Sequence, residues 1–203
     1  MEQKLEAKNK HPCFILVRPQ MGENIGAAAR AMWNFGLERM RVVSPRDGWP
    51  NQKAVAMASG AGRLLDEALI FPTFEEAIAD QNFVFATTAR PRDLIKPIYS
   101  PKDAIRLAVS KMSEGQNVGF IFGPERSGLE NSDIVKTNAI ISVPVNDHFP
   151  SLNLAQCVLV LAYEWMLNLN NSDIDSSTSD QSNISSNMQV EKLCNYFEEN
   201  LEE

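Results

Sequence analysis

Short apolar runs alternate with helical patterns over the first 167 residues of the chain. The runs are rich in Val, Ile and Phe and predict five strands: Cys13–Arg18, Met40–Ser44, Phe83–Thr87, Val118–Phe122 and Ile140–Val145. Apolar residues at helical spacing predict helices or helical turns between them: Asn24–Phe35, part of Lys53–Ala61, Phe74–Ala79, Pro101–Met112, Asn131–Lys136 and Ser151–Leu167. Nearly continuous apolar strands separated by helices are typical of a parallel sheet covered on both faces. The pattern therefore predicts one α/β domain.

The pattern changes after Leu167. Residues 168–187 (NLNNSDIDSSTSDQSNISSN) contain too few apolar side chains to form a core, which predicts a flexible acidic linker. Residues 188–203 recover helical spacing, with Val190, Leu193, Phe197 and Leu201 on one face. We interpret this segment as a helix that docks on the main domain or on a second subunit, or as the start of a truncated extension. The predicted parts of the chain are residues 1–167, 168–187 and 188–203.

The net charge of −7 at first argues against a nucleic-acid partner, because phosphate binding requires a basic surface. However, residues 1–167 carry 18 basic and 18 acidic residues, whereas the remaining 36 residues carry one basic and eight acidic residues. The whole negative charge therefore belongs to the tail. A neutral domain can still bind RNA through a local basic groove, assembled within one chain or across a dimer.

Composition disfavours several other classes of protein. Three cysteines without a CxxC pair, together with only two histidines, argue against a disulfide scaffold or a zinc site and predict a reducing compartment, the cytoplasm. The first eleven residues contain no apolar run of the kind found in a secretory signal. The longest apolar stretch, Leu152–Leu169, is interrupted by polar residues, so we expect a buried helix and no membrane span.

The first candidate functional segment is RPQMGENIGAAARAMWNFG, which follows the first predicted strand. Asn24 is expected to cap a helix whose C′ residue, just beyond its end, is Gly36. The small residues Gly26–Ala29 allow this helix to approach a neighbouring backbone or a ligand. Arg30 lies nearly two turns beyond Asn24 and could reach the same site. The alternative is an ordinary capped helix with a surface arginine.

Two further segments also follow predicted strands, where ligands bind in open α/β sheets. In FVFATTARPRD, Arg90 and Arg92 come shortly after a strand and can face phosphates, although a solvated loop is the alternative. In GFIFGPERSGLEN, a strand runs directly into a tight turn that carries Glu125 and Arg126. Turn chemistry explains the glycines and the proline of this segment, but it does not explain a carboxylate and a guanidinium at the tip.

The fourth segment is NDHFPSLNLAQCVLVLAYEW, in which Ser151 or Asn153 is expected to cap an almost wholly apolar helix. No GxGxxG or GxxxxGK[ST] motif occurs in the chain, so the sequence does not support a dinucleotide or a nucleoside triphosphate site. No cysteine is accompanied by a base at a recognisable spacing, so nucleophilic catalysis is not supported either.

NIGAAARAMWNFG, FGPERSGL and SLNLAQCVLVLAYE, in this order, resemble the three motifs of the SpoU/TrmH family of RNA 2′-O-methyltransferases, within the SPOUT superfamily. RVVSPRDGWPN and FATTARPRD are more narrowly similar to the TrmJ-type tRNA methyltransferases. The resemblance covers about residues 12–167. It implies a Rossmann-like α/β domain with a parallel sheet and a C-terminal trefoil knot, and a homodimer whose active site combines motifs from two protomers.

The resemblance also implies the ligands. The cofactor is S-adenosylmethionine, which leaves as S-adenosylhomocysteine, and no metal is needed. The residues that the family's knot loops imply for the cofactor are Thr87, Thr88, Ala89, Gly123, Val143, Pro150, Ser151, Leu152, Asn153, Leu154 and Ala155. The substrate is a ribose 2′-hydroxyl of tRNA, expected in the anticodon loop. The residues expected to contact RNA are Arg18, Arg90, Arg92 and Arg126.

The same resemblance implies a polar catalytic group that consists of Arg30, Asn24, Glu125, Ser151 and Asn153. An arginine does not deprotonate in proteins, so we interpret Arg30 as an electrostatic and positioning group and not as a simple base. Two alternatives remain open at this point. The same chemistry could act on rRNA, because the motifs concern the cofactor and the reaction, or the chain could be a non-catalytic RNA-binding factor.

Overall fold

The computed structural model describes residues 11–89 and 95–170 of the chain. Within them lie seven strands: β1 (Cys13–Val17), β2 (Met40–Val43), β3 (Leu69–Phe71), β4 (Phe83–Thr87), β5 (Ile98–Tyr99), β6 (Val118–Phe122) and β7 (Ala139–Ile141). They form one sheet in the order β3-β2-β1-β6-β4-β7-β5, and every neighbouring pair is parallel. The predicted parallel α/β architecture is confirmed. The predicted helix at 188–203 and nearly all of the predicted linker lie outside the described residues.

The helices of the described part are α1 (Gly22–Asn34), α2 (Gln52–Ala58), α3 (Gly62–Asp66), α4 (Phe74–Ile78), α5 (Pro101–Ser113), α6 (Asn131–Val135) and α7 (Leu154–Asn170). A 3-10 turn, Ser59–Ala61, joins α2 to α3. The prediction missed α3, and α7 extends three residues beyond the predicted end at Leu167. No helix in this part of the chain combines the length and the apolar character needed to cross a membrane.

The strand predictions fail for the two edge strands and for the end of β7. β3 and β5 were not predicted because they have only three and two residues, too few to form a recognisable strand pattern. β7 ends at Ile141, whereas the sequence predicted a strand from Ile140 to Val145. Pro144 has no N–H to donate to a strand partner, so the chain leaves the sheet before it.

The core forms two apolar layers on opposite faces of the sheet. Phe14 and Leu16 of β1 pack in the layer that contains α1, α5 and α7. Cys13, Ile15 and Val17 point to the other layer, which includes α4 and α6. All five side chains are fully buried because both faces of β1 are covered. This burial explains why the strand reads as a continuous apolar run.

The prediction that Asn24 caps the first helix is wrong. α1 begins at Gly22, and Met21 occupies the N-cap position in an extended conformation without a side-chain capping bond. Asn24 therefore lies within the first turn, and its side chain projects from the helix. The predicted end of the helix agrees with the structure, since Gly36 follows α1 with a φ of +69°.

α1 approaches α2 closely at Gly26. A Cβ atom on Gly26 would lie 2.2 Å from the carbonyl oxygen of Ala54 and 2.9 Å from the backbone nitrogen of Ala58. Ala28 and Ala29 of the same helix are fully buried. The sequence allowed these small residues to approach either a backbone or a ligand, and at Gly26 the neighbour is the backbone of α2.

Candidate active site

A chain of hydrogen bonds joins three loops at the carboxyl edge of the sheet. The Glu125 carboxylate, in the loop after β6, accepts bonds from the backbone N–H groups of Gln20 (2.7 Å) and Met21 (3.2 Å) after β1. It also accepts a bond of 2.8 Å from the side-chain amide of Asn24. The Asn24 carbonyl oxygen in turn accepts a bond of 2.9 Å from the side-chain amide of Asn153. We call Glu125, Asn24 and Asn153 the polar relay.

The relay forms because of how the sheet is ordered. β1 and β6 are neighbours, so the loops that follow them meet at the same edge. Asn153 is placed by α7, where its side-chain oxygen accepts bonds from the backbone N–H groups of Ala155 (2.9 Å) and Gln156 (3.4 Å). This is an N-cap, which the sequence predicted for Ser151 or Asn153. The structure assigns it to Asn153.

The loop after β6 turns back on itself at glycine positions. A Cβ atom on Gly123 would lie 2.3 Å from the backbone nitrogen of Leu129, so only glycine fits there. The Gly128 N–H donates a bond of 2.8 Å to the carbonyl of Pro124, and Gly128 has a φ of +66°. The resulting tight turn holds Glu125 against α1.

Arg30 and Ser151 differ from the residues of the relay. Both are exposed, and neither side chain makes a hydrogen bond or an ion pair within the described part of the chain. Arg30 projects from α1 six residues after Asn24, which is about 9 Å along the helix axis. Three polar side chains thus hold each other, whereas the polar groups of Ser151, at the site, and of Arg30, farther along α1, have no partner within the described residues.

Arg18, predicted to contact RNA, lies in a bidentate ion pair. Its guanidinium binds the carboxylate of Asp133 through two nitrogens, with one Nη1–Oδ1 distance of 3.3 Å. Asp133 is almost fully buried in α6, whereas the Arg18 side chain is 34% exposed. Arg18 also has a φ of +48° at the end of β1. In this structure Arg18 ties β1 to α6.

A cavity lies beside the relay, over the carboxyl ends of β4, β6 and β7. It is lined by Thr87, Thr88, Ala89, Phe122, Gly123, Pro124, Glu125, Arg126, Gly128, Ile141, Val143, Val145, Pro150, Ser151, Leu152, Leu154 and Cys157. Of the residues that the sequence suggested for the cofactor, only Asn153 and Ala155 are not part of this lining. Asn153 is engaged in the relay, and Ala155 packs into the apolar core.

Sequence reasoning missed several lining residues. Ile141 and Val145 flank the predicted Val143, and Cys157 lies one turn after Leu154 on α7. Ile141, Val143 and Val145 are two residues apart along the chain, and Leu154 and Cys157 are three apart. These spacings place side chains on one face of a strand or helix, and they were the sequence signal for the cavity lining. Cys157 lies in an apolar run of the sequence, where a cysteine usually packs as a small apolar side chain. Burial raises the pKa of its thiol to about 11, against a smaller opposite effect of its hydrogen bond with Thr87.

Arg126 lies at this cavity as well, although the sequence suggested it for RNA. Arg90 and Arg92, the other two arginines suggested for RNA beyond Arg18, lie outside the described residues. Among residues 11–89 and 95–170, no three His, Cys, Asp or Glu side chains are grouped closely enough to hold a metal ion.

Comparison with known proteins agrees with the motifs. Residues 12–163 match the family model described as the SpoU rRNA Methylase family. The tRNA (cytidine-2′-O-)-methyltransferase TrmJ of Methanocaldococcus jannaschii is 33% identical over 92% of this chain and 81% of its own length. The tRNA (cytidine/uridine/adenosine-2′-O-)-methyltransferase TrmJ of Pseudomonas aeruginosa is 37% identical over 74% of this chain and 58% of its own length.

A solved structure is similar over most of the chain. The crystal structure of TrmJ from Z. mobilis ZM4 is 46% identical, with a TM-score of 0.73, and the alignment covers 94% of this chain and 79% of that chain. The family match over residues 12–163 contains the relay, both Arg30 and Ser151, and the whole cavity lining. The chain is therefore a member of the SpoU rRNA methylase family.

Proposed function

We propose that this chain transfers a methyl group from S-adenosylmethionine to a ribose 2′-hydroxyl of tRNA. The observation that carries the proposal is the polar relay beside the cavity, with Arg30 and Ser151 left available. The similar proteins of Methanocaldococcus jannaschii and Pseudomonas aeruginosa bear the names of tRNA 2′-O-methyltransferases, which supports tRNA as the substrate. The resemblance to TrmJ-type enzymes favours a target in the anticodon loop.

The cavity fits S-adenosylmethionine by the chemistry of its lining. Ile141, Val143 and Leu152 offer an apolar wall for the adenosine. Ser151 and Arg126 supply polar groups for the remainder of the molecule. When bound, S-adenosylmethionine supplies an electrophilic methyl group on a sulfonium. The chain's own residues must then orient the acceptor and stabilise charge on it.

Arg30 is suited to stabilise the ribose oxygen. A 2′-hydroxyl is a poor nucleophile at neutral pH, and it gains negative charge as its proton leaves to solvent water. The bond from the methyl group to the 2′-oxygen forms as the bond from the methyl group to sulfur breaks, and S-adenosylhomocysteine is the leaving group. A guanidinium remains protonated, so Arg30 can donate hydrogen bonds to that oxygen or to a nearby phosphate but cannot accept the proton. The Ser151 hydroxyl can accept a hydrogen bond from the 2′-hydroxyl. The relay joins the first turn of α1, the helix that carries Arg30, to the loop that carries Ser151.

The proposal includes a homodimer, the trefoil knot and a cytoplasmic location. Leu159 and Tyr163 on α7 and Trp33 on α1 are 41%, 49% and 37% exposed, and the ring of Phe35 contacts that of Tyr163 edge-on. A second copy would cover this apolar surface and bring its own loops towards Arg30. The three loops around the cavity belong to the segments that the family threads through its knot. We propose a cytoplasmic location because the tRNA substrate is found in the cytoplasm.

The direct test incubates the purified protein with labelled S-adenosylmethionine and unmodified tRNA, followed by digestion to nucleosides and mass spectrometry. We expect a 2′-O-methylnucleoside. Arg30→Ala should lower the rate by about 100-fold or more, as does the loss of one donor to a developing oxyanion. Arg106→Gln is the matched control, because Arg106 is an exposed arginine on α5 that does not line the cavity. Label on a base, or no label, would contradict the proposal.

The second candidate substrate is rRNA, because the matching family model is described as an rRNA methylase family. The same assay with unmodified ribosomal RNA fragments in competition with tRNA separates the two substrates. Preferential methylation of tRNA supports the first candidate. Preferential ribose methylation of the ribosomal fragments would replace it while retaining the chemistry.

A further inference from the structure

Among the described residues that line the cavity, Arg126 is the single basic one. It is exposed at the tip of the loop after β6, and its guanidinium makes no ion pair or hydrogen bond within residues 11–89 and 95–170. The other charged lining residue is Glu125. Its carboxylate is already committed to three N–H donors from the β1 side of the site. In the cavity wall formed by the loop after β6, the Arg126 guanidinium can therefore bind a ligand, whereas the neighbouring Glu125 carboxylate is already hydrogen-bonded.

The charged and apolar linings of the cavity come from different elements. Glu125 and Arg126 belong to the loop after β6, whereas Ile141, Val143 and Val145 belong to β7 and the chain that follows it. β4 separates β6 from β7 in the sheet. A ligand that spans this cavity therefore meets apolar side chains at one wall and a guanidinium at the other.

We infer that Arg126 binds the carboxylate of the methionine part of S-adenosylmethionine, and so acts as a cofactor-recognition residue; this inference rests on the proposed function. S-adenosylmethionine has an adenosine at one end and an α-amino acid at the other. A planar guanidinium matches a carboxylate through two parallel hydrogen bonds. Without Arg126, the carboxylate would enter a cavity whose other ionised side chain is a carboxylate, which like-charge repulsion disfavours.

The backbone around Arg126 is well suited to this role. The Gly128 N–H to Pro124 carbonyl bond closes the turn that contains Arg126. Gly123 holds the base of the same turn against Leu129 with no room for a side chain. A long arginine side chain from a fixed turn loses less freedom on binding than one from an unconstrained loop. The sequence suggested an RNA phosphate as the partner of Arg126, and the cavity lining favours the cofactor.

The experiment compares two ligands that differ in the amino-acid part. Isothermal titration calorimetry measures the affinity of wild type, Arg126→Gln and Arg126→Lys for S-adenosylhomocysteine and for 5′-methylthioadenosine, which lacks the carboxylate and the amine. We expect Arg126→Gln to weaken S-adenosylhomocysteine binding by about tenfold or more, the size of a lost charge-assisted hydrogen bond. Binding of 5′-methylthioadenosine should be unchanged. Arg126→Lys keeps the positive charge but loses the planar group that can donate two parallel hydrogen bonds. Its affinity for S-adenosylhomocysteine should lie between those of wild type and Arg126→Gln.

Arg106→Gln serves again as the control and should bind both ligands like wild type. An Arg126→Gln variant that weakens both ligands equally, or neither, overturns the inference. The inference is also overturned if Arg126→Gln loses tRNA affinity in a filter-binding assay while it retains S-adenosylhomocysteine affinity, because Arg126 would then contact the RNA. A wild-type protein that binds neither nucleoside would instead contradict the proposed function itself.

Discussion

Some polar side chains at the site are hydrogen-bonded to other residues of the chain, and others are not. Glu125, Asn24 and Asn153 hold each other across three loops, whereas Arg30 and Ser151 make no such bond within the described residues. Side chains that are hydrogen-bonded to each other keep a site in one geometry, and side chains without such bonds can bind the substrate. We propose that the relay positions the loops and that Arg30 and Ser151 contact the acceptor.

Two variants of Asn153 separate its roles. Asn153→Ala removes both the N-cap of α7 and the bond to Asn24, and should lower the free energy of unfolding by about 1 kcal/mol as well as the methylation rate. Asn153→Asp keeps an oxygen for the cap but loses the donor to Asn24, so stability should be retained while the rate falls. Urea unfolding and turnover measure the two effects. If Asn153→Asp methylates at the wild-type rate, the hydrogen bond from Asn153 to Asn24 does not contribute to catalysis.

The thiols of Cys13 and Cys157 are expected to resist alkylation in the folded protein. Burial raises the pKa of Cys13 and of Cys157 to about 11, so both remain protonated at pH 7.5. Iodoacetamide should therefore leave both unmodified in the folded protein and modify both in urea, as read by peptide mass spectrometry. Rapid modification of Cys157 in the folded protein at pH 7.5 would show that the cavity wall is more open than described.

The members of the relay could be predicted from the motifs, but their partners could not. Asn24 was expected at an N-cap because asparagine is common there, yet α1 begins two residues earlier and the amide reaches Glu125 instead. Glu125 and Asn153 are 101 and 129 residues away from Asn24 along the chain. The adjacency of β1 and β6 brings Glu125 to Asn24, and the position of α7 brings Asn153 to it. Local spacing carries no information about such contacts.

Single residues decide how closely the elements of this fold approach each other. Gly26 sets the distance between α1 and α2, and Arg18 ties the end of β1 to α6 through Asp133. α1 carries both Asn24 and Arg30, so its position fixes their distance from the other loops. A change in this packing should alter the site as well as the stability.

Gly26→Ala tests this packing. The added methyl group would lie 2.2 Å from the carbonyl oxygen of Ala54, which is backbone, so α1 and α2 must separate. We expect a loss of about 1–3 kcal/mol in the free energy of unfolding. Gly62→Ala is the matched control, since Gly62 has helical dihedral angles and an added methyl group there would meet no other atom within 4 Å. It should be neutral or slightly stabilising. Equal stability of the two variants would contradict the close approach.

The central elements were predictable and the edge elements were not. β4 and β6 match their predicted bounds because both faces of these strands are covered and their sequences are continuously apolar. β3 and β5 lie at the two edges and are apolar as well, but they have only three and two residues. A run this short is below the four to eight residues from which a strand can be recognised in a sequence.

At the scale of the whole molecule, charge acts through particular pairs more than through the total. The net charge of −7 comes from residues after Leu167, and residues 1–167 are balanced. Bulk attraction to RNA is therefore not expected from the domain, and binding must depend on local arginines.

Within the fold, Arg41 and Asp80 form a pair that joins β2 to the end of α4, with two bonds of 2.5 and 2.6 Å.

This pair predicts how stability depends on pH. The hydrogen bonds from Arg41 hold the pKa of Asp80 well below its usual range, against the opposite effect of partial burial. A lowered pKa in the folded state stabilises the fold above the unfolded pKa of about 3.9, and this contribution is lost as the pH falls below that value. Asp80→Asn should therefore be less stable than wild type at pH 7, and the difference should shrink below about pH 4. A constant difference in urea unfolding from pH 7 to pH 3 would contradict this role.

We propose above that the chain methylates a ribose of tRNA. The most direct measurement is mass spectrometry of nucleosides and fragments of tRNA from cells that lack this protein. We expect that one 2′-O-methylnucleoside is absent, that the wild-type protein restores it, and that Arg30→Ala does not. An unchanged set of tRNA ribose methyl groups in those cells, or full restoration by Arg30→Ala, would contradict the account.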